Sequence, residues 1–368
     1  MFLQSPCIFP KFEHYSRMMM KMSFSYNSVK FNFFFLISFI CLSSCNQDKR
    51  IDVDNIKVDL RIERFDRDLV KVNPDSLASQ LPVLEKKYGA FYHDYFGKIL
   101  NLGSTTDTGY YPLVRQILTG TAFKDLQHET DSIFKDLKMA EPSISEAFKH
   151  IKYYYPQQKV PKIVTYISGF QIQTPIGVDY VGIGLDMFLG TQSKFYPALV
   201  ESIPRYISRR FTPDNIAPRI VEVITREELF PEPETQTLLD KMIYQGKSMY
   251  FMKAVQPNLA DSTIIGYSKQ QMDWATQFES DIWAYFLEEN LLYESDYLKI
   301  QKYLSEAPFT PGLGSHNDSA PKLGIYTGWQ IVKNYMKNNP EVTLQDLMKD
   351  NDYQKILKRS KYRPEHKQ

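Results

Sequence analysis

Apolar and polar positions alternate from Ile56 to Phe65, with Ile56, Val58, Leu60 and Ile62 on one side, and this period of two predicts a strand. The period then lengthens. Asp75 reads as the N-cap of a helix through Leu77, Leu81, Leu84 and Tyr88, and amphipathic runs follow over 111–118 and 143–155. Two further strands are expected over 162–167 and 179–185, the second rich in glycine as though another segment packs closely on it. Beyond Gly190 the pattern is helical over 194–208, 216–229, 234–255, 269–289, 321–338 and 344–357. A few strands followed by many helices define an α+β class, predominantly helical with a small sheet. No Gly/Ser- or Pro-rich linker divides the chain, so residues 55–368 are expected to form a single domain.

The amino-terminal pattern is different in kind. An apolar run from Phe31 to Cys41 follows Lys21 and Lys30 and ends in Leu42-Ser43-Ser44-Cys45. A cationic start, a short apolar stretch and a small-residue cleavage site make a signal peptide, and a cysteine directly after the small pair makes it a lipobox. An uncleaved membrane helix fits less well, because the run is too short to span comfortably. Residues 1–44 are therefore expected to be a lipoprotein signal peptide, Cys45 the lipidated residue, and residues 45–54 a tether. Two or three acyl chains make a stable anchor where one does not. The cluster Met18, Met19, Met20 and Met22 places the expected translation start near one of these residues, leaving residues 1–17 untranslated.

Cleavage alters the composition. Cys7 and Cys41 leave with the presequence, so Cys45 is the only remaining cysteine, which excludes disulfides, thiol catalysis and cysteine-based metal sites in the body. The presequence through Cys45 carries a net +3 of the chain's +1, leaving a body of −2 that argues against nucleic acid.

Catalytic signatures are sparse. Gly182-Ile183-Gly184 lacks the third glycine of a dinucleotide loop, and Gly246-Lys247-Ser248 lacks the earlier glycine of a phosphate loop. In Gly312-Leu313-Gly314-Ser315-His316 the serine and histidine are adjacent, whereas a triad brings base and nucleophile from separate elements. The histidines of the body, His93, His128, His150, His316 and His366, include no i, i+4 pair, and H-E-x-x-H is absent. The carboxylates Glu222, Glu227, Glu228, Glu232 and Glu234 lack calcium-loop spacing and read as a solvated charge run.

Several blocks carry a resemblance. Gly184-Leu185-Asp186-Met187-Phe188-Leu189-Gly190, Met242 to Lys247, Ile282 to Phe286, Ala307-Pro308-Phe309, Gly328 to Val332 and Ser360 to Pro364 resemble, in order, the gliding-motility lipoprotein GldB family of Bacteroidetes. That resemblance implies a cell-envelope lipoprotein needed for gliding and linked to type IX secretion, with membrane and protein partners and no cofactor beyond the lipid on Cys45. The family offers no established catalytic residues. A more distant similarity, to predicted zincin-like metallopeptidases, aligns Val221 and Thr225 with two histidine ligands, Gln245 with the carboxylate ligand and Glu222 with the general base. Valine, threonine and a neutral amide do not hold zinc, so this similarity implies a degenerate zincin-like core with a vestigial groove and no catalytic or metal residues. The expected function is thus a non-catalytic binding or assembly component; Trp274, Trp283 and Trp329 are of the type that anchors interfaces, although Trp283 with Phe278 and Phe286, and Trp329 with Val332, fall at the helical spacing of core residues. The alternative is a periplasmic hydrolase of peptide or peptidoglycan bonds using Glu222. The mixed-sign segment Asn46-Gln47-Asp48-Lys49-Arg50 favours an anchor facing the periplasm.

Overall fold

A computed structural model describes residues 51–314 and 317–366. The signal peptide, Cys45, the start of the tether and the Ser315-His316 pair lie outside the described residues.

The sheet has three parallel strands, β1 (Ile62–Arg64), β2 (Lys162–Tyr166) and β3 (Tyr180–Gly184), in that spatial order. Ile62 pairs with Ile163, and Ile163 with Val181. Only the end of the expected Ile56–Phe65 strand enters the sheet. Parallel sheets are covered on both faces, and this one is. Val164, Tyr166 and Tyr180 point into an aromatic cluster, whereas Ile163, Val181 and Ile183 point into the main core.

The aromatic layer comes from the segment between β1 and β2. Its helices are α1 (Phe65–Val70), α2 (Leu77–Tyr88), α3 (Ala90–Asp94, continuing as a π-turn to Ile99) and α4 (Tyr110–Thr119); α5 (Thr121–Ile133) and α6 (Glu141–Tyr154) follow before β2 and turn Leu126, Ile144, Phe148 and Ile151 into the main core. Phe65 sits at the centre of this cluster, edge-on to Tyr88, Phe91 and Tyr95 at centroid distances of 4.9, 5.1 and 4.7 Å. The expected cap of α2 is corrected: Ser76 is the N-cap, and Asp75 instead pairs with Arg115 at 2.5 Å.

The rest of the main core comes from the carboxyl-terminal helices: α7 (Arg205–Ser208), α8 (Ile216–Ile224, continuing as a π-turn Thr225–Leu229), α9 (Leu238–Val255), α10 (Asp261–Ile265), α11 (Lys269–Gln277), α12 (Glu279–Glu288), α13 (Tyr297–Ile300), α14 (Leu323–Asn338), α15 (Leu344–Lys349) and α16 (Tyr353–Ser360). Three expected helices are interrupted. The 194–208 stretch contains a 3-10 turn and then α7, because Pro204 has no N–H to continue a helix and starts a new one. Phe278 leaves helical geometry between α11 and α12, and Asp352 caps α16 separately by accepting from the Lys355 N–H. Helix α9 starts at Leu238 rather than Glu234, where Thr237 and Asp240 form a capping box.

Helices α9 and α14 cross where glycine replaces a side chain on both. A Cβ on Gly328 would stand 1.8 Å from the Met242 carbonyl oxygen, and one on Gly246 would stand 2.4 Å from the Gly328 carbonyl. Their backbones touch. Two of the blocks that carry the family resemblance, Met242 to Lys247 and Gly328 to Val332, therefore make this crossing.

Candidate functional site

The carboxyl ends of β2 and β3 present a polar assembly at the place where open parallel sheets bind ligands. Asp186, fully buried, is its hub. Its carboxylate accepts from the Ser168 N–H and hydroxyl, both at 2.9 Å, and from the Phe170 N–H at 2.7 Å. Aiming that last N–H needs Gly169 and Phe170 at φ of 65° and 62°, the left-handed region that a phenylalanine rarely adopts. Burial pushes the Asp186 carboxyl above its ordinary value, against the pull of these donors. The return segment after Phe170 runs antiparallel along β3, with Gly182 donating to the Pro175 carbonyl at 2.7 Å and Gly184 to that of Gln173 at 2.9 Å. The segment packing on glycine-rich β3 is this one: a Cβ on Gly182 would lie 2.7 Å from the Pro175 ring.

Gln173 carries the assembly to α8. Its Nε2 donates to the Met187 carbonyl at 3.3 Å, and its Oε1 accepts from Arg219 Nε at 2.9 Å. Arg219 then pairs with Glu222 at 2.5 Å, and Arg226 stands 3.9 Å from the other Glu222 oxygen. These residues, with Thr174, Val223 and Glu227, line a cleft of about 240 Å³. Thr174 Oγ1 is buried there with no partner among the described residues.

More charge lies behind Glu222. Lys322, nearly buried and in the left-handed region at the start of α14, bonds to Glu306, which also takes Arg210 at 3.2 Å. Burial pushes the Glu222 carboxyl up, but the charges of Arg219, Arg210, Lys322 and Arg226 outweigh it and hold Glu222 below its ordinary value. It is an ionised, already neutralised carboxylate, and a weak proton acceptor.

The four residues of the expected groove do not share this cleft. Glu222 alone lines it. Val221 and Thr225 point into the main core, 1% and 0% exposed, and Thr225 Oγ1 donates to the Val221 carbonyl at 2.6 Å. Gln245, half-buried, precedes the glycine of the α9–α14 crossing. Of the other acidic residues of the run, Glu227 lines the cleft beside Arg226, whereas Glu228 accepts from Gln158 and Glu232 pairs with Lys241. No three His, Cys, Asp or Glu side chains come together to hold a metal among the described residues. Trp329 is fully buried, the core position that its helical spacing with Val332 suggests, and Trp283 packs on Tyr362 at 5.2 Å.

Sequence reasoning missed Asp186, Gln173, Arg210, Glu306 and Lys322. The i, i+3 and i, i+4 spacing of Arg219, Glu222 and Arg226 was a legible signal. The others meet only through tertiary structure.

The profile of the family described as gliding motility protein GldB matches residues 46–364. The chain belongs to the GldB family. As a GldB family member it is a gliding-motility protein of a lipoprotein family, which fits membrane anchoring in the cell envelope. No helix among the described residues is long and apolar enough to cross a membrane. Neither a curated protein nor a solved structure matches the chain significantly.

Proposed function

We propose that this protein serves gliding motility as a non-catalytic binding or assembly component, held by lipid on Cys45 with its body facing the periplasm, and coupled to type IX secretion. The observation that carries the non-catalytic reading is the state of Glu222: Arg219 and Arg226 flank it, Val221 and Thr225 beside it are core residues, and its charge is neutralised within the fold. A general base needs an accessible carboxylate tuned upward toward working pH, and this one is shifted the other way. The cleft instead offers fixed polar groups, among them the unpartnered Thr174 hydroxyl, suited to recognition of a small polar group on an envelope partner. The hydrolase alternative draws no support from this arrangement.

Replacing Glu222 with Gln tests the reading. Gliding should persist at normal protein abundance; loss of gliding with abundance unchanged would overturn it. Replacing Cys45 with Ser should abolish lipid labelling and reduce gliding, and efficient labelling of that variant would remove the anchor assignment.

A further inference from the structure

Because the sheet is parallel, the amino ends of its three strands lie together, at the end opposite the Asp186 and Glu222 assembly. The polar side of the Ile56 to Phe65 alternation surfaces there. Lys57, Asp59, Arg61 and Glu63 line a hollow of about 640 Å³, while Val58, Leu60 and Ile62 pack on the main core. Lys152 from the last turn of α6, Lys159 and Lys162 from the entry to β2, and Asp179 just ahead of β3 supply its other charges. Five cations against three carboxylates leave +2 at this one end of a body whose net charge is −2.

Pairing within the hollow leaves positive charge over. Arg61 holds Asp59 at 2.7 Å, and Lys162 faces Glu63 at 3.8 Å. Lys57, Lys152 and Lys159 make no ion pair among the described residues, and Asp179 is the one lining carboxylate in the same position. Apolar groups stand beside these charges. Val178, in the bend that leads into β3, is 97% exposed, and Tyr153, next to Lys152, is 49% exposed. Long-stemmed lysines with an exposed tyrosine and an aliphatic tip suit the layer between water and hydrocarbon.

Covalent connection says which surface this charge meets. Ile51 stands six positions before Lys57, and five residues, 46–50, separate it from Cys45. At about 3.3–3.6 Å per residue, the chain from Cys45 to Ile51 reaches about 20 Å at most. Lipid on Cys45 therefore keeps the start of the body close to the bilayer. We infer that the strand-amino end docks on anionic lipid headgroups of the membrane that anchors the protein, with Lys57, Lys152 and Lys159 as the contacting cations. The inference rests on the lipid anchor of the proposed function. Docking in this way turns the Glu222 cleft away from the bilayer, since a strand of five residues sets its two ends about 16 Å apart. The cleft is thereby left free for a partner.

The test places the mature lipidated protein on vesicles of phosphatidylcholine, alone or with about 30% phosphatidylglycerol, and follows backbone hydrogen exchange over 51–61 and 152–162. At about 0.05 M salt, exchange in both segments is expected to be about fivefold slower on the anionic vesicles, and the difference should fade at about 0.5 M salt while the protein still floats with either vesicle. Lys57→Glu combined with Lys152→Glu and Lys159→Glu should erase the difference without loss of flotation. Its melting temperature checks the fold, and Lys57→Gln with Lys159→Gln, both at exposed positions, gives a milder version of the same comparison. Equal exchange on the two vesicles, or a difference that survives in the folded charge-reversal variant, would overturn the inference. Equal protection by millimolar glycerol phosphate on neutral vesicles would mark a site for free phosphate and overturn the membrane assignment. Failure to float with either vesicle would refute the lipid anchor itself, and the docking with it.

Discussion

Lys247 offers a quantitative test of the packing around α9. The residue is 2% exposed, and its ammonium donates to the Asp350 carbonyl at 2.7 Å and to Asn351 Oδ1 at 3.4 Å, with the Tyr353 ring 5.6 Å away. It ties α9 to the junction between α15 and α16. Burial pushes the lysine down to about 8, partly opposed by Asp350. In the unfolded chain it returns to about 10.4. Between these values the unfolded chain holds the proton that the folded protein has released, so stability rises with pH in that window. At about 1.4 kcal/mol per pKa unit, charging Lys247 costs the fold about 3 kcal/mol at pH 7, and most of that cost is gone by about pH 10. Lys247→Met removes the charged group and also two hydrogen bonds worth about 1–3 kcal/mol each at most. The variant should therefore be within about 1 kcal/mol of the parent at pH 7 and fall behind it by about 2–3 kcal/mol at pH 10. Parallel urea melts of parent and variant at pH 7, 8, 9 and 10 measure this, and taking their difference cancels the titration of the tyrosines and of Lys322. A difference that stays constant across that range would refute the assignment of a charged, desolvated lysine.

Further expectations follow from other parts of the fold. Gly328→Ala should separate α9 from α14, because its Cβ would meet the Met242 carbonyl; a loss of about 2–3 kcal/mol or insoluble expression is expected, and an unchanged melting temperature would contradict the crossing. Asp186→Asn should cost about 1–3 kcal/mol, since its amide nitrogen must face one of the donors from Ser168 or Phe170, and hydrogen exchange at those two amides should accelerate. For Asp68, burial pushes the carboxyl up, but Lys87, Tyr88 and Lys71 outweigh it and hold it at about 2. Its contribution is present above about pH 4 and lost as pH falls toward 2. Because the group is partly exposed, Asp68→Asn should destabilise by only about 1 kcal/mol at pH 7, with the difference vanishing at pH 2 in acid titration by circular dichroism.

Local order was legible where period and punctuation agree. The 77–88 helix, the 141–154 helix and the two buried strands fall close to their expected bounds because single elements reveal their periodicity without partners. Breaks were read less well. The 194–208 pattern kept helical spacing while Pro204 and its neighbours prevented a continuous helix, and the Asp352 cap sits inside a run whose apolar spacing barely changes. Chemistry divided in the same way. Arg219, Glu222 and Arg226 lie within two turns of one helix, so their coupling is written in their spacing.

The sequence by itself determined the helical bias, the thiol-free body, the lipobox pattern and the absence of a local metal motif, since each depends on residue identity or on neighbours a few positions apart. Only the tertiary structure decided that Val221 and Thr225 face the core and that Arg210 and Lys322 bring positive charge to bear on Glu222. The physical reason is the range of the interactions. Helix periodicity and capping act over one or two turns, whereas desolvation and Coulomb coupling depend on which distant segments the packed core brings together.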